Sequence, residues 1–299
     1  MGTLWDEIAA NKRKSWALVA IFVLFVAFLG FLFGYVLAGG IGGFLCLTFA
    51  GILTILLAIM GYYNSAAIVL AVSRARPATK EEFPFLINAV EGLAIAAGIP
   101  APRVFVMDDD APNAFAVGRD PAHAAVCVTT GLLTRMNRLE LEGVLAHEIS
   151  HIRNYDVRFA TLAVVLVGVV TMLSDVFMRS IFRGGLSSRE RRGGGAFIFL
   201  VVLAVLFAIL SPLFANLLRL ALSRQREYLA DASAAQLTRY PEGLASALEK
   251  MARESKRVEA ATEATAPLYI VNPLKGGLLG SLFSTHPPIE ERIRRLRRM

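Results

Sequence analysis

Two long runs of apolar residues open the chain, with a short glycine-rich stretch between them. Residues 16–37 and residues 44–63 contain no charged side chain. A helix rises about 1.5 Å per residue, so each run is long enough to cross a hydrocarbon core of about 30 Å. Residues 38–43 are typical of a turn, and they do not resemble a signal-peptide cleavage site. The pattern predicts two transmembrane helices that form a hairpin.

The charged residues beside these runs predict the orientation of the hairpin. The turn carries no charge, whereas basic residues flank both outer ends. They are Lys12, Arg13 and Lys14 before the first run and Arg74, Arg76 and Lys80 after the second. Because basic flanks stay on the cytoplasmic side, both ends of the hairpin and the polar residues 74–158 are expected in the cytoplasm.

A second apolar pair follows, in residues 159–182 and 197–222. Its lengths favour two further membrane crossings. However, Asp175 interrupts the first member, and the connecting residues 183–196 carry four arginines, which contradicts the positive-inside rule if that loop lies outside. A hairpin that lies on or partly in the cytoplasmic leaflet therefore stays open as the alternative.

The polar region between the two apolar pairs contains both helical and strand patterns. Residues 81–98 have apolar positions at helical spacing and predict an amphipathic helix that ends at a glycine. Residues 103–107 alternate as a strand, and residues 114–117 with residues 124–129 predict a β-hairpin. From Arg138 the helical pattern returns. A small sheet followed by a helix is therefore expected.

The composition favours a membrane protein over a nucleic-acid-binding one. The 299 residues are 56% hydrophobic, which is too apolar for an ordinary soluble domain of this size. The net charge is +7, but the basic residues cluster beside apolar runs and in residues 292–298, without interleaved aromatic residues. Nucleic acid is therefore not an expected partner. Cys46 and Cys127 provide neither a disulfide framework nor a cysteine-based zinc site.

The helix predicted after the sheet carries the sequence His-Glu-Ile-Ser-His at residues 147–151. Residues four apart lie on one helix face, so His147 and His151 can bind one zinc ion. Glu148 lies beside them and can accept a proton from a water molecule that the zinc acidifies. A motif of five residues also occurs by chance, so a polar surface helix is the alternative.

A catalytic zinc needs a third protein ligand, for which Glu227 and Asp231 are both candidates. They belong to RQREYLAD, residues 224–231, and a solvated acidic pair is the plainer alternative. The motif HEISH, the second apolar pair, REYLAD and STHPP at residues 284–288 together resemble the HtpX membrane proteases, relatives of the CAAX prenyl proteases. The resemblance covers nearly the whole chain.

The resemblance implies roles for several polar residues around the metal. Glu227 would be the third zinc ligand, and Asp231 would orient a ligand histidine. His286 and Arg292 match positions that stabilise the oxyanion of the tetrahedral intermediate, where a cation offsets the developing negative charge. The plainer alternative is a capped terminal helix in which Arg292 is a surface residue.

The resemblance also implies a place for the substrate. Residues 112–116 are similar to the family's edge strand, to which a peptide adds as a further strand. Asn113, Ala114 and Phe115 would then contact the substrate, although a simple turn into a strand would have the same sequence. Residues 258–272 have the composition of a linker, which leaves open whether they cover the site.

The expected fold is a mainly α membrane protein with a zincin-like α+β catalytic domain that contains a small β-sheet and is interrupted by the second apolar hairpin. Both ligand-bearing helices adjoin that hairpin, so the zinc is expected close to the cytoplasmic membrane surface. The expected organisation is an N-terminal flank and transmembrane hairpin in 1–73, the first catalytic part in 74–158, the second hairpin in 159–222, and the second catalytic part in 223–299.

The expected function is that of a multi-pass endopeptidase of the cell inner membrane with one Zn²⁺ per chain and a cytoplasmic active site. By the resemblance it would hydrolyse misfolded or membrane proteins in quality control and stress response. Polypeptides and the lipid bilayer are the expected partners, and homo-oligomerisation stays open. The alternatives are a CAAX-type processing peptidase and a non-catalytic zinc-stabilised scaffold. A transporter is disfavoured because the first two apolar runs contain no ionisable residue.

Overall fold

A computed structural model describes residues 4–166, 224–254, 256–262, 264–274 and 287–299. The second apolar pair is described only from residue 159 to residue 166. The arginine-rich residues 183–196 and His286 lie outside the described residues, so what the sequence predicts for them stays a prediction.

The N-terminal helix α1, Leu4–Val72, folds back on itself. The rings of Trp16 and Tyr62 stack with centroids 6.0 Å apart, whereas a straight helix would hold them about 70 Å apart. Phe31 and Phe44 also meet edge to face, with ring centroids 6.0 Å apart. The reversal therefore lies between Phe31 and Phe44, where the sequence predicts a turn, although the backbone stays helical there.

The apolar length of α1 agrees in part with the predicted membrane spans. Among the described residues, one helical stretch is long and apolar enough to cross a membrane, namely Gly40–Val72. The first arm contains a shorter apolar stretch, Ser15–Leu24. The crossing of both arms, at residues 16–37 and 44–63, therefore stays a prediction.

A small mixed sheet forms the centre of the polar region, as expected from the sequence. In the described part of the chain its strands follow the order β1, β2, β4, β3. Strands β3 and β4 are antiparallel, which is the predicted hairpin, while β2 and β4 are parallel. Strand β3 therefore lies at the sheet's edge. The strands are β1 Arg76–Pro77, β2 Arg103–Met107, β3 Ala114–Gly118 and β4 Ala124–Thr129.

Helices pack against both faces of this sheet. Helix α2 begins at Pro84, later than predicted, and ends at Gly98, whose φ of 68° favours glycine. The helices after α1 are α2 Pro84–Ala97, α3 Thr130–Arg135, α4 Arg138–Arg153, α5 in residues 156–166, α6 Arg224–Thr238, α7 Pro241–Arg253 and α8 Ile289–Leu296.

The alternation of side chains along β3 divides the core into two halves. Phe115 and Val117 belong to a cluster with residues from the end of α1 and from α5. Ala114 and Ala116 belong to a second cluster with residues of α2, α4 and α7. The edge strand is consequently buried on both faces, which explains why its side chains are all apolar.

Helix α4 lies in the middle of the second half, packed by α2, α6, α7 and β3. It starts with a capping box in which Asn137 and Glu140 each accept a backbone N–H of the other. A Cβ atom at Gly143 would lie 2.6 Å from the backbone nitrogen of Leu244, so α7 can cross here only because residue 143 is glycine. The helix with the HEISH motif is thus closely packed inside the domain.

Candidate active site

Helix α4 presents both motif histidines on one face. The Nε2 atoms of His147 and His151 lie 3.1 Å apart, because residues four apart are stacked one helical turn above each other. His147 is fully buried, whereas His151 is partly exposed toward a cleft. The predicted pairing of the imidazoles is therefore present in the fold.

Glu227 from helix α6 completes a group of three potential ligands. Its Oε1 lies 3.4 Å from Nε2 of His151, and its Oε2 lies 3.8 Å from Nε2 of His147. All three donor atoms fall within 4.8 Å of one another. Ligand atoms about 2.1 Å from a tetrahedral zinc ion lie about 3.4 Å from each other, so this donor set fits zinc.

Asp231 lies one turn beyond Glu227 on α6 and contacts the imidazole of His147 at its Nδ1 atom. Its Oδ1 is 3.0 Å from Nδ1 of His147, and Arg292 binds the same carboxylate through Nε at 2.9 Å and Nη2 at 2.7 Å. Burial alone would raise the pKa of Asp231, but the charges and hydrogen bonds of Arg292 and His147 together outweigh it and lower the pKa to about 2. Asp231 is therefore an ionised carboxylate.

The second histidine has a matching carboxylate that the sequence analysis missed. Nδ1 of His151 lies 3.1 Å from Oδ2 of Asp156, and Nη1 of Arg226 lies 3.7 Å from Oδ1 of that residue. Asp156 follows a turn at Tyr155, whose φ is 60°. The signal available in the sequence was an acidic residue five positions after the motif's last histidine.

The protonation of the two histidines differs because their surroundings differ. Burial lowers the pKa of His147 to about 4, more than Asp231 can offset. Burial acts on His151 in the same direction, but hydrogen bonds to Asp156 and Glu227 outweigh it and raise its pKa well above the ordinary value. Burial therefore dominates the pKa of His147, whereas the two carboxylates dominate that of His151.

Glu148 is buried beside the three potential ligands. Burial is the main cause that raises its pKa, which reaches about 7. The charge of His151 and a backbone hydrogen bond from Ala116 of β3 act in the opposite direction, while Glu227 adds to the rise. Glu148 can therefore take up and release a proton near neutral pH.

These groups line an open cleft with an empty volume of about 370 Å³. Its walls come from α4, α5, α6, strand β3 and residues 267–270. The lining residues include His147, Glu148, His151 and Glu227, so the candidate catalytic groups face one common cleft.

The residues predicted to contact substrate lie at the edge of the sheet but already have intramolecular partners. Asn113, Ala114 and Phe115 are all buried. The Asn113 amide donates to the carbonyl of Val271 at 2.9 Å, and the carbonyl of Ala114 accepts from the N–H of Ile270 at 3.0 Å. Their predicted contact with substrate stays a prediction.

Arg292 is placed at the site by helix α8, but its guanidinium is occupied. Besides Asp231, it donates to the carbonyl of Ile270 at 3.2 Å, and its Nη1 lies 3.5 Å from Oε2 of Glu227. Arg292 is 1% exposed, so the alternative of a surface arginine is wrong. His286, the other predicted oxyanion residue, lies outside the described residues.

Comparisons with known proteins agree with this arrangement. The profile of peptidase family M48 matches residues 80–299. A protease HtpX homolog of Dictyoglomus thermophilum is 54% identical over 297 residues, covering 99% of this chain and 95% of that protein. A protease HtpX homolog of Streptococcus pneumoniae is 46% identical over 301 residues, covering 99% of this chain and all of that protein.

A solved structure shares the fold. The crystal structure of S. mikatae Ste24p matches with a TM-score of 0.51 and 20% identity, covering 98% of this chain and 66% of the Ste24p chain. The resemblance inferred from HEISH and REYLAD is confirmed by the family profile and by relatives that match over nearly their full length. The chain belongs to peptidase family M48 and is a metalloprotease of the HtpX type.

Proposed function

We propose that this chain is a membrane-bound endopeptidase with one zinc ion, which hydrolyses peptide bonds of misfolded or membrane proteins in quality control. His147, His151 and Glu227 would hold the zinc, and Glu148 would act as general base. The convergence of three donor atoms from two helices beside a buried glutamate carries this proposal.

The donor set supports zinc as the metal. Two imidazole nitrogens and one carboxylate oxygen are typical of catalytic zinc sites, which use three protein ligands and leave a fourth position open. When bound there, zinc would polarise the scissile carbonyl and make a water molecule more acidic. The cleft on the exposed side of His151 provides room for that fourth position.

The residues behind the ligands would fix their orientation. A carboxylate faces the Nδ1 atom of each histidine, Asp231 at His147 and Asp156 at His151. An N–H at Nδ1 leaves the lone pair at Nε2 to bind a metal, which is the arrangement that second carboxylates produce in zinc sites. Arg292 holds Asp231 in place.

Glu148 would transfer the protons of the reaction. Its carboxylate lies in the cleft beside the three donor atoms, where it would accept a proton from the attacking water and return it to the leaving amine. The contacts of Arg292 support a role in positioning Glu227 and Asp231, and the oxyanion role of Arg292 and His286 stays a prediction.

The membrane placement rests on helix α1 and its contact with α5. A Cβ atom at Gly61 would lie 3.5 Å from Val165, and the guanidinium of Arg158 lies over the rings of Trp16 and Tyr62. These contacts bring the catalytic domain against the apolar hairpin, which supports a position of the domain close to a bilayer. A multi-pass topology in the inner membrane, with the catalytic parts 74–158 and 223–299 in the cytoplasm, is proposed accordingly.

A comparison of two glutamates tests the proposal. We expect the full chain, purified in detergent with zinc, to cleave unfolded casein, and Glu148→Gln to keep its zinc while losing cleavage. Glu142→Gln, on the same helix but partly exposed beside Arg138, is the matched control and should cleave as the unchanged protein does. Equal cleavage by Glu148→Gln would favour a zinc-stabilised scaffold and overturn the proposal, as would a native preparation without bound metal.

A further inference from the structure

Residues 266–271, the strap, lie along the edge of β3. Tyr269 pairs with Phe115 in antiparallel register, and the N–H of Ile270 donates to the carbonyl of Ala114 at 3.0 Å. The Asn113 side chain contacts both backbone groups of Val271, donating to its carbonyl at 2.9 Å and accepting from its N–H at 3.4 Å. Residues 269–271 of the strap therefore bind the sheet edge as an extended segment, directly after the 3-10 turn Ala266–Leu268.

These contacts use main-chain groups of the strap, with little dependence on its side chains. An extended substrate presents the same N–H and carbonyl groups, whatever its sequence. The edge of β3 at Asn113 and Ala114 would consequently bind a substrate segment and the strap in the same way, and it cannot bind both at once.

The strap also reaches the catalytic cleft. Because Tyr269 faces Phe115, Leu268 comes opposite Ala116, which lines the cleft together with Glu148. Leu268 and Ile270 line the cleft. The N–H of Leu268 bonds to Thr265 instead of β3, so the strap leaves the sheet beside the catalytic groups. A peptide that pairs antiparallel with Ala116 and continues along β3 would reach residues that already contact the strap.

We propose that the strap is a built-in competitor for the peptide-binding edge of β3, and that a polypeptide substrate must displace it to bind fully. This inference rests on the proposed function, since it assigns a regulator to that same site. The strap is then an autoinhibitory segment, and the strength of its binding to β3 determines the apparent affinity for substrate.

The ring and the hydroxyl of Tyr269 have opposite effects on how strongly the strap binds β3. Tyr269 is fully buried and packs edge to face on Phe115, with ring centroids 4.9 Å apart. However, its hydroxyl is buried next to that of Ser73, and neither makes a hydrogen bond of normal geometry among the described residues. Burying an unsatisfied hydroxyl is unfavourable. The hydroxyl therefore weakens the binding of the strap to β3, whereas the packing of the ring strengthens it.

Two substitutions should therefore shift the Michaelis constant for casein in opposite directions. Ile270→Pro removes the N–H that bonds to Ala114, and we expect KM to fall about threefold or more. Tyr269→Phe removes the unsatisfied hydroxyl, and we expect KM to rise about fivefold. Tyr240→Phe, at a tyrosine that is 43% exposed, is the matched control and should leave KM unchanged.

The same pair of variants can overturn the inference. A fixed structural strand would give a higher KM or lower kcat for Ile270→Pro and no change for Tyr269→Phe. If Ile270→Pro does not fold, Val271→Pro removes the longer and weaker bond to Asn113 and should lower KM to a smaller extent. An unchanged KM in both Tyr269→Phe and a folded proline variant would refute the strap as a competitor.

Hydrogen exchange tests the strap without needing catalysis. In zinc-loaded Glu148→Gln, we expect the amide of Ile270 to exchange faster when unfolded casein is added, because the substrate releases it from Ala114. Unchanged or slower exchange with casein bound would overturn the inference. Failure of the proposed function is distinguishable, since it would appear as an unchanged protein that does not cleave casein at all.

Discussion

Helix α4 buries two glutamates, one in its first turn and one in its second half, and their surroundings differ. Glu140 in the first turn and Glu148 two turns later are both almost fully buried. Burial alone would raise the pKa of either carboxyl group. The pKa of Glu140 is nevertheless lowered, while that of Glu148 is raised to about 7.

Both the depth of burial and the donors around each carboxylate contribute to the difference, since Glu140 lies beside the side chain of Lys250, which is 44% exposed. Glu140 accepts from the ammonium of Lys250 at 2.6 Å, the hydroxyl of Ser246 at 2.7 Å and the backbone N–H of Asn137 at 2.8 Å. Glu148 has a backbone hydrogen bond from Ala116 and lies near another carboxylate. A buried glutamate with full hydrogen bonding stabilises the fold, whereas one with sparse hydrogen bonding is suited to move protons.

The largest expected effect is a difference in kcat between the variants of the two glutamates. Removing the proton acceptor in Glu148→Gln should lower kcat by about 100-fold to 10,000-fold, which is the usual contribution of general acid–base catalysis. Glu140→Gln should keep kcat within about twofold, because its partners are structural. Casein cleavage per zinc-loaded molecule measures both. A large loss of kcat in Glu140→Gln at full zinc content would contradict the division of roles.

The next largest effect concerns the carboxylate behind His151. Asp156→Asn removes the charge that faces Nδ1 of this ring, so zinc affinity should fall about 10-fold to 100-fold. Competition with a metal chelator measures the affinity. Asp120→Asn is the matched control, because Asp120 pairs with the exposed His123 away from the cleft. Equal zinc affinity in Asp156→Asn and the unchanged protein would show that this carboxylate does not support the ligand.

A smaller effect should appear in the free energy of unfolding when Glu140 is changed. Glu140→Gln weakens hydrogen bonds to a buried charge, which contribute about 1.5 to 3 kcal/mol. We expect the free energy of unfolding to fall by about 2 kcal/mol in denaturant titrations. Glu148→Gln should unfold at the same denaturant concentration as the unchanged protein, or at a higher one. The reverse ranking of the two variants would contradict the comparison.

The comparison also shows what the sequence could predict. The pairing of His147 with His151 follows from the helical repeat alone. Strand β2 follows from its alternating pattern, and strands β3 and β4 follow from two strand-like runs that flank the turn residues 118–121. These features depend on residues close in sequence. The family resemblance identified Glu227, whereas spacing alone left it open against Asp231.

Features that depend on tertiary packing could not be predicted. The contact of Glu140 with Lys250 requires α7 to cross α4 at Gly143, and the strap reaches β3 from residues far along the chain. Asp156 meets His151 only because the chain turns sharply at Tyr155. Each contact joins two elements, and the sequence pattern of one element does not predict its contact with the other.

The smallest expected effect is the pH dependence of unfolding that Glu140 contributes. Its pKa in the folded protein lies below the ordinary value of 4.5, so its stabilisation is complete above that pH and is lost as the pH falls through the folded pKa. The difference in free energy of unfolding between the unchanged protein and Glu140→Gln should therefore shrink as the pH is lowered from about 6 to about 3. Other acidic groups are common to both proteins and cancel. A difference that stays constant over this range would mean that the charge of Glu140 is not what its hydrogen bonds stabilise.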